Sequence, residues 1–438
     1  MPRSTTDNDY DVVVVGAGAA GLAAGRRLLE AQCRVLAVEA RDRIGGRSRT
    51  QATALGMPVD LGCEWLHSAD HNPWTGIART LGFAIDETLP DWGRRVSWHG
   101  GNDAEPEWAA ARAAFNAREA AAAESGIDRP ASALLVPGGR WNALLGAIST
   151  WANGTELERV SILDHQRYAD SGINWRVLAG YGALIAAFGA KVPVRLSTVV
   201  QHIACDGAGV VITTSRGTLR ARAAIITLPT NLLAAETIRF TPALPEKIAA
   251  AAGLPLGIAN KLFLGLSGPV EDLPADTHLV GSAARVATGN YQLRPHGWPM
   301  IAAYFGGALA TALEAEGGAA MVAFAGDEIV GLLGSAVKPR LTPLARSAWV
   351  ADPWARGSYS SALPGHADDR RILAEPVEDR LFFAGEACSR DHFGTAHGAL
   401  ISGFAAADRA LAALSGGPQP ARKSDDKGET ISRSRRWT

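Results

Sequence analysis

Three glycines, Gly16, Gly18 and Gly21, form the pattern G-x-G-x-x-G directly after a β-branched run, Val12–Val15. The first suits a tight turn, the second a close approach of main chain to a pyrophosphate, and the third close packing of a helix on a sheet. A helix opening there, with Ala20 in its first turn, aims its N–H groups and the positive end of its dipole at phosphate oxygens. Glu39 closes the next apolar run, Arg34–Val38, at about the 20-residue offset where a carboxylate hydrogen-bonds an adenosine ribose. A carboxylate there repels a 2′-phosphate and so disfavours NADP. Glu39 runs on into Ala40-Arg41-Asp42-Arg43-Ile44-Gly45-Gly46-Arg47. Two adjacent glycines between arginines make a second phosphate-facing loop, which a long cofactor lying extended through the protein requires.

These groups need a scaffold. Val12–Val15 reads as a strand buried on both faces, Leu22–Ala31 as a helix and Arg34–Val38 as a second strand. That βαβ unit makes a doubly wound parallel sheet the leading architecture. Further along, Ala104–Glu124 has helical composition. Thr198–Thr214 and Thr218–Thr227 alternate like strands around a turn at Ser215–Gly217. Leu381–Ala384 reads as a strand, and a helix is expected from about His397 to Leu414. The longest uncharged run, Pro295–Leu313, is broken by Pro299 and Gly306-Gly307 and reads as a strand with its flanks, not as a membrane span.

The 438 residues suffice for two or three domains, and 47% hydrophobic against 20% charged residues is a globular composition. A net charge of −1 argues against nucleic-acid binding through bulk charge. The four cysteines, Cys33, Cys63, Cys205 and Cys388, make no CxxC pair, which argues against a zinc ribbon or a disulfide framework. No metal site is expected. The N-terminus carries no charged-then-apolar secretory pattern, so the expectation is a soluble, cytoplasmic protein. The polar tail 416–438 is expected to be disordered.

The segment from Glu39 to Arg47 closely resembles that of flavoproteins of the amine oxidase family, which includes monoamine and polyamine oxidases. The resemblance runs from Asp11 to about Ala407. Asp60-Leu61-Gly62-Cys63-Glu64-Trp65-Leu66-His67 is similar to the family's segment beneath the flavin, and Gly180-Tyr181-Gly182 through Val200 to the one contacting the adenine end, with Val200 at the backbone-contact position. Ile225–Pro229 and Ile238–Pro242 resemble the family's middle. Asn260-Lys261-Leu262-Phe263 matches the active-site lysine segment, and Trp349 with Arg356–Ser360 the aromatic wall. Phe382–Ala387 and Gly394–Ala399 match the closing flavin segment, which places Gly385, Glu386, Thr395 and Ala396 at the cofactor. Little of Ile77–Arg176 is recognisable.

The resemblance implies an α/β fold, α+β overall. A Rossmann-type FAD-binding domain would be assembled from 1–76, 175–251 and 352–415. A substrate domain of mixed β-sheet and helices, 77–174 and 252–351, would be inserted between them. It implies oxidation of a small-molecule amine: hydride passes from the carbon beside nitrogen to flavin N5, the imine hydrolyses to an aldehyde or ketone, and O2 reoxidises the flavin to give H2O2. It gives Lys261 a water-mediated role in reoxidation and makes Tyr359 one wall of a cage presenting a cationic amine to the flavin. The opposite wall falls at Thr395, which leaves the cage half open. Trp349 would pack on the flavin or the cage, and His67 would lie near the substrate amine. Glu64 could serve either flavin or substrate, and Glu386 the ribityl or pyrophosphate region. Ser358 stands where some relatives carry a flavin-linking cysteine, so FAD is expected to be non-covalent. The resemblance also suggests a homodimer. Two alternatives stay open within the superfamily. One is an L-amino acid oxidase, with Arg94, Arg95 or Arg176 clamping the carboxylate, or a desaturase. The other is a flavin-bearing demethylase or scaffold subunit.

Overall fold

A computed structural model describes residues 9–90, 92, 104–206 and 209–416. Its largest sheet begins as the sequence suggests. Strand Tyr10–Val15 lies between Val35–Val38 and Gly217–Ile226, parallel to both. Its valines alternate between two cores. Val12 and Val14 pack with helix Ala19–Glu30 and helix Ala396–Leu414, while Val13 and Val15 face the opposite cluster around Ile203, Ile212 and Leu254. Strand Gly217–Ile226 changes partner along its length. Its first half pairs antiparallel with Gly209–Thr214, and its second half pairs parallel with Leu381–Phe383. Val194–Arg195 joins one edge, and Val200–Asp206 with Arg239–Thr241 extends the other, giving eight strands. The sheet therefore draws strands from near both ends of the chain and from its middle.

The expected strand Thr198–Thr214 resolves into two antiparallel strands, Val200–Asp206 and Gly209–Thr214. A single strand of that length would far exceed the usual five or six residues. The second strand of the pair begins at Gly217 within the expected turn.

Helix Ala19–Glu30 packs against helix Ala396–Leu414 at unusually close range. A Cβ on Gly403 would sit 2.2 Å from the Ala20 carbonyl oxygen, so only glycine admits this crossing. Both helices thereby point their N-termini at the same region.

The second sheet has five strands, in the order Thr277–Val280, Asn290–Leu293, Met300–Gly306, Ala259–Leu266, Leu341–Arg346. Every pairing is antiparallel, so the mixed sheet expected here is corrected to an antiparallel one. The cause is local: three consecutive strands are joined by short connections, and neighbours linked that way must run in opposite directions. Helices Gly307–Glu316 and Gly318–Leu333 cover one face through Leu262, Leu264, Ile301, Phe305, Met321 and Ile329. Alternation then turns Lys261, Phe263 and Tyr304 to the other face. A third cluster joins helices Ala104–Glu124, Asn142–Asn153 and Ile162–Arg167. The uncharged run Pro295–Leu313 holds strand Met300–Gly306 and part of the following helix. Among the described residues no helix is long and apolar enough to cross a membrane. The tail residues 417–438 and the arginines Arg94 and Arg95 lie outside the described residues.

Candidate active site

The two glycine loops lie side by side. Gly45 N–H donates to the Ala17 carbonyl (2.8 Å), and Gly18 pairs with Gly45 as a parallel bridge. Gly16 has φ +103°, and a Cβ on it would meet Thr227 Oγ1 at 2.4 Å. A Cβ on Gly46 would lie 3.1 Å from Gly18 Cα. Gly21 plays the packing role alone: its Cβ would be 2.0 Å from the Gly16 carbonyl oxygen, and it does not line the cavity beyond. Helix Ala19–Glu30 starts at Gly18 with no side-chain cap and no acidic residue in its first turn. Its free N–H groups therefore favour an anion.

Glu39 is buried, with Oε2 accepting from Ala17 N–H and Oε1 from Arg41 N–H, both at 2.9 Å. Arg41 is fixed in turn by Asp352 (2.7 Å). At the far end of the chain, Glu386 Oε1 accepts from Arg47 (2.9 Å) and Ser360 N–H (3.1 Å), and Oε2 from Ser360 Oγ (2.6 Å) and Gly394 N–H (2.7 Å). Burial pushes the Glu386 carboxyl up, but the Arg47 and Arg370 charges and these hydrogen bonds hold it below its ordinary value. Thr395 Oγ1 accepts from Gly398 N–H (3.0 Å) and donates to the His392 carbonyl (2.6 Å). Its hydroxyl thus caps helix Ala396–Leu414.

One cavity of about 410 Å³ joins these pieces. Gly16, Gly18, Ala20, Glu39, Ala40 and Arg41 line it, as do Gly45, Gly46 and Arg47. So do Gly62, Glu64, Trp65 and Val200, and from the C-terminal segments Gly385, Glu386, Thr395 and Ala396. Lys261, Tyr359, His67 and Trp349 open onto the same space.

Lys261 Nζ donates to Glu64 Oε2 (2.6 Å) and to the Asp60 carbonyl (3.0 Å). Burial raises the Glu64 carboxyl, yet the Lys261 charge and hydrogen bond, helped by Arg176 and His296, bring it below its ordinary value. Glu64 is thereby placed on the lysine. The Asp60 side chain works elsewhere, accepting from Thr50 Oγ1 (2.5 Å), Tyr181 N–H (2.7 Å) and Gly182 N–H (3.1 Å). Its complete burial pushes its pKa up to about 6. Gly62 is required by close packing, because a Cβ there would lie 1.7 Å from the Arg47 carbonyl oxygen and 3.4 Å from the Trp349 ring. Trp349 Nε1 donates to the Leu61 carbonyl (3.2 Å), fixing the indole against this loop.

Tyr359 is held by two contacts that the sequence did not reveal. Its hydroxyl donates to the Trp151 carbonyl and lies 3.0 Å from the Tyr304 hydroxyl. Tyr304 is the cross-strand partner of Lys261, whose Nζ lies 6.0 Å from the Tyr304 ring centre. Ser358 Oγ accepts from Ala259 N–H (2.9 Å) and donates to the Ala259 carbonyl (3.0 Å). His67 Nδ1 lies 2.7 Å from Asn174 Oδ1; with the amide nitrogen of Asn174 donating to the Gly172 carbonyl, that contact sets Nδ1 as the protonated nitrogen.

Sequence reading also missed Trp108, Arg112, Leu144 and Ile148, which line the cavity. Their i, i+4 spacing on helices Ala104–Glu124 and Asn142–Asn153 was visible, but only packing decides which face a helix turns inward. Arg176 is corrected as a carboxylate clamp. It is buried behind Trp65, 4.9 Å from that ring, with Nη2 bonded to Asp86 and Asp276 at 2.8 Å each, and it does not line the cavity.

The family described as flavin containing amine oxidoreductase matches residues 19–171 and 145–411. The chain belongs to this family. It is 30% identical to polyamine oxidase 4 of Oryza sativa subsp. japonica, over 91% of this chain and 88% of that one. It is 29% identical to probable polyamine oxidase 4 of Arabidopsis thaliana, over 90% and 86%. Lysine-specific histone demethylase 1 homolog 1 of Oryza sativa subsp. japonica is 30% identical, over 90% of this chain but 51% of that protein. In fold the chain resembles cyclohexylamine oxidase from Brevibacterium oxydans IH-35A, with a TM-score of 0.73 and 22% identity over 93% of this chain and 99% of that one. As a flavin-containing amine oxidoreductase it is an FAD-dependent oxidoreductase. The paired glycine loops, the uncapped helix start and the buried Glu39 fit that cofactor's diphosphate and ribose.

Proposed function

We propose that this family member oxidises an amine at the carbon beside nitrogen, releases an imine that hydrolyses to an aldehyde or ketone, and uses O2 as the terminal acceptor with H2O2 as product. When bound, FAD supplies the hydride acceptor and passes the electrons to O2. The protein orients, desolvates and charges the site. The observation that carries the reading is that Lys261, with its carboxylate partner Glu64, and the Tyr359–Tyr304 pair open onto the same cavity as the dinucleotide segments.

Within that reading, Gly16, Gly18, Gly45 and Gly46 let main-chain N–H groups reach the diphosphate, and Glu39 takes the ribose. The Arg47–Glu386 pair ties the C-terminal segment to the second glycine loop. Lys261, held by Glu64 and the Asp60 carbonyl, opens onto the cavity, where its charge would stabilise negative charge developing as O2 is reduced. Tyr359 and Tyr304 offer ring faces to the incoming cation, and Trp349 closes the side under Leu61. The FAD-binding part comprises 1–76, 175–251 and 352–415, and the substrate part 77–174 and 252–351. Non-covalent FAD is supported by Ser358, whose hydroxyl is engaged with both backbone groups of Ala259. The reading is tested by incubating FAD-loaded protein with a panel of amines and of L-amino acids in air. Peroxide should form in step with amine loss. Peroxide from amino acids alone would transfer the reading to the amino acid oxidases.

A further inference from the structure

The charges around the cavity constrain what the amine carries. Among the described residues lining it, four are acidic: Glu39, Glu64, Asp170 and Glu386. Each already has a place in the protein. Glu39 is bound to Ala17 and Arg41 beside the first glycine loop, and Glu386 to Arg47, Ser360 and Gly394. Glu64 pairs with Lys261. Asp170 is buried, and its Oδ1 accepts from Ser68 Oγ (3.1 Å) and Gly172 N–H (2.9 Å), holding its own turn.

The wall built by the inserted elements is of another kind. Trp108, Leu144, Ile148, Trp151 and Val280 belong to one apolar cluster and all line the cavity. Trp65 and Trp92 continue it edge to face, with ring centres 5.0 Å apart. The long basic side chain on this wall, Arg112, adds positive charge. A desolvated ammonium without a carboxylate partner is costly, whereas apolar carbon gains by leaving water and by contact with aromatic faces. A polyamine brings at least one ammonium beyond the reacting nitrogen, and among the described residues this wall offers it ring faces and amides but no carboxylate.

Resting on the amine oxidase reading, we infer that the substrate is a monoamine carried on an apolar hydrocarbon body, and that a second ammonium is selected against. The named polyamine oxidases among its relatives make this a departure within the family.

The test compares hexylamine with 1,6-diaminohexane, which share one carbon chain, on FAD-loaded enzyme, with cyclohexylamine, benzylamine and spermidine alongside. The monoamine should lead in kcat/KM by about tenfold or more. The variant Asn290→Asp adds a carboxylate of nearly unchanged shape at a cavity-lining position whose Oδ1 has no hydrogen-bond partner among the described residues. It should narrow the ratio by improving the diamine, whereas mere structural damage would lower both amines together. Should that variant fail to fold, the wild-type pair still decides. Diamine or spermidine turned over as well as the monoamines would overturn this inference alone. A loaded enzyme inert to every amine would overturn the oxidase reading and this inference with it.

Discussion

Lys261 lies at the meeting point of two strands and a loop, and its two hydrogen-bond acceptors are the Asp60 carbonyl and the Glu64 carboxylate just beyond it. Replacing it by methionine keeps the length and removes the charge. Lys261→Met should slow flavin reoxidation by about a hundredfold while leaving FAD bound and flavin reduction by amine much less affected, as stopped-flow measurement of the two half-reactions will show. Unchanged oxygen kinetics would remove Lys261 from the mechanism. Glu386 makes a pH prediction. Its carboxyl lies below its ordinary value of 4.5 in the fold, so its stabilising contribution is complete above that value and is lost as pH falls through the lower, folded value. Asp60 acts in the opposite sense. Its pKa rises from 3.8 to about 6, so the stability it contributes is present below 3.8 and is lost as pH climbs through 6. Glu386→Gln should cost about 3 kcal/mol at pH 7 and flatten the acid limb below 4.5, measured by urea unfolding at several pH values. A parallel shift at every pH would deny the carboxylate its charge-based role.

At the scale of elements, the crossing of helices Ala19–Glu30 and Ala396–Leu414 aims two N-termini at one cavity. Gly403→Ala should therefore destabilise by about 1–3 kcal/mol, because overpacking forces the helices apart, and should weaken FAD retention. Gly331→Ala is the matched control. It sits on the exposed side of helix Gly318–Leu333 with nothing within 4 Å of the added carbon, and should stabilise by about 0.5–1 kcal/mol. Thermal melts of both variants distinguish close packing from helix propensity. The same contrast explains what could be read in advance. The fingerprint glycines were legible because a positive φ or a forbidden Cβ permits one residue type. Helix Ala104–Glu124 was legible from composition, and its ends fall where expected. Tyr304 was not, since nothing local to Met300–Gly306 tells which strand lies opposite Lys261. Lys261 and Tyr359 were found through family resemblance, not through any pattern in their own neighbourhood. The single run Thr198–Thr214 misled because alternation continues through two successive antiparallel strands.

At the scale of the whole molecule, residues from Gly16 to Ala399 converge on one cavity, so a ligand there recognises the folded chain and not its pieces. FAD should raise the unfolding free energy by about 2.7 kcal/mol at one hundred times its dissociation constant. Denaturation should release it intact, because Ser358 forms no thioether; flavin that stays on the denatured chain would contradict the non-covalent assignment. The central claim is that this convergence places a two-electron acceptor beside an amine, and anaerobic titration addresses it most directly. The folded, FAD-loaded protein should be yellow, bleach on addition of an apolar monoamine such as cyclohexylamine, and regain its colour when air is admitted. A folded protein that stays colourless in excess FAD, or a yellow one whose spectrum no amine alters, would contradict the account.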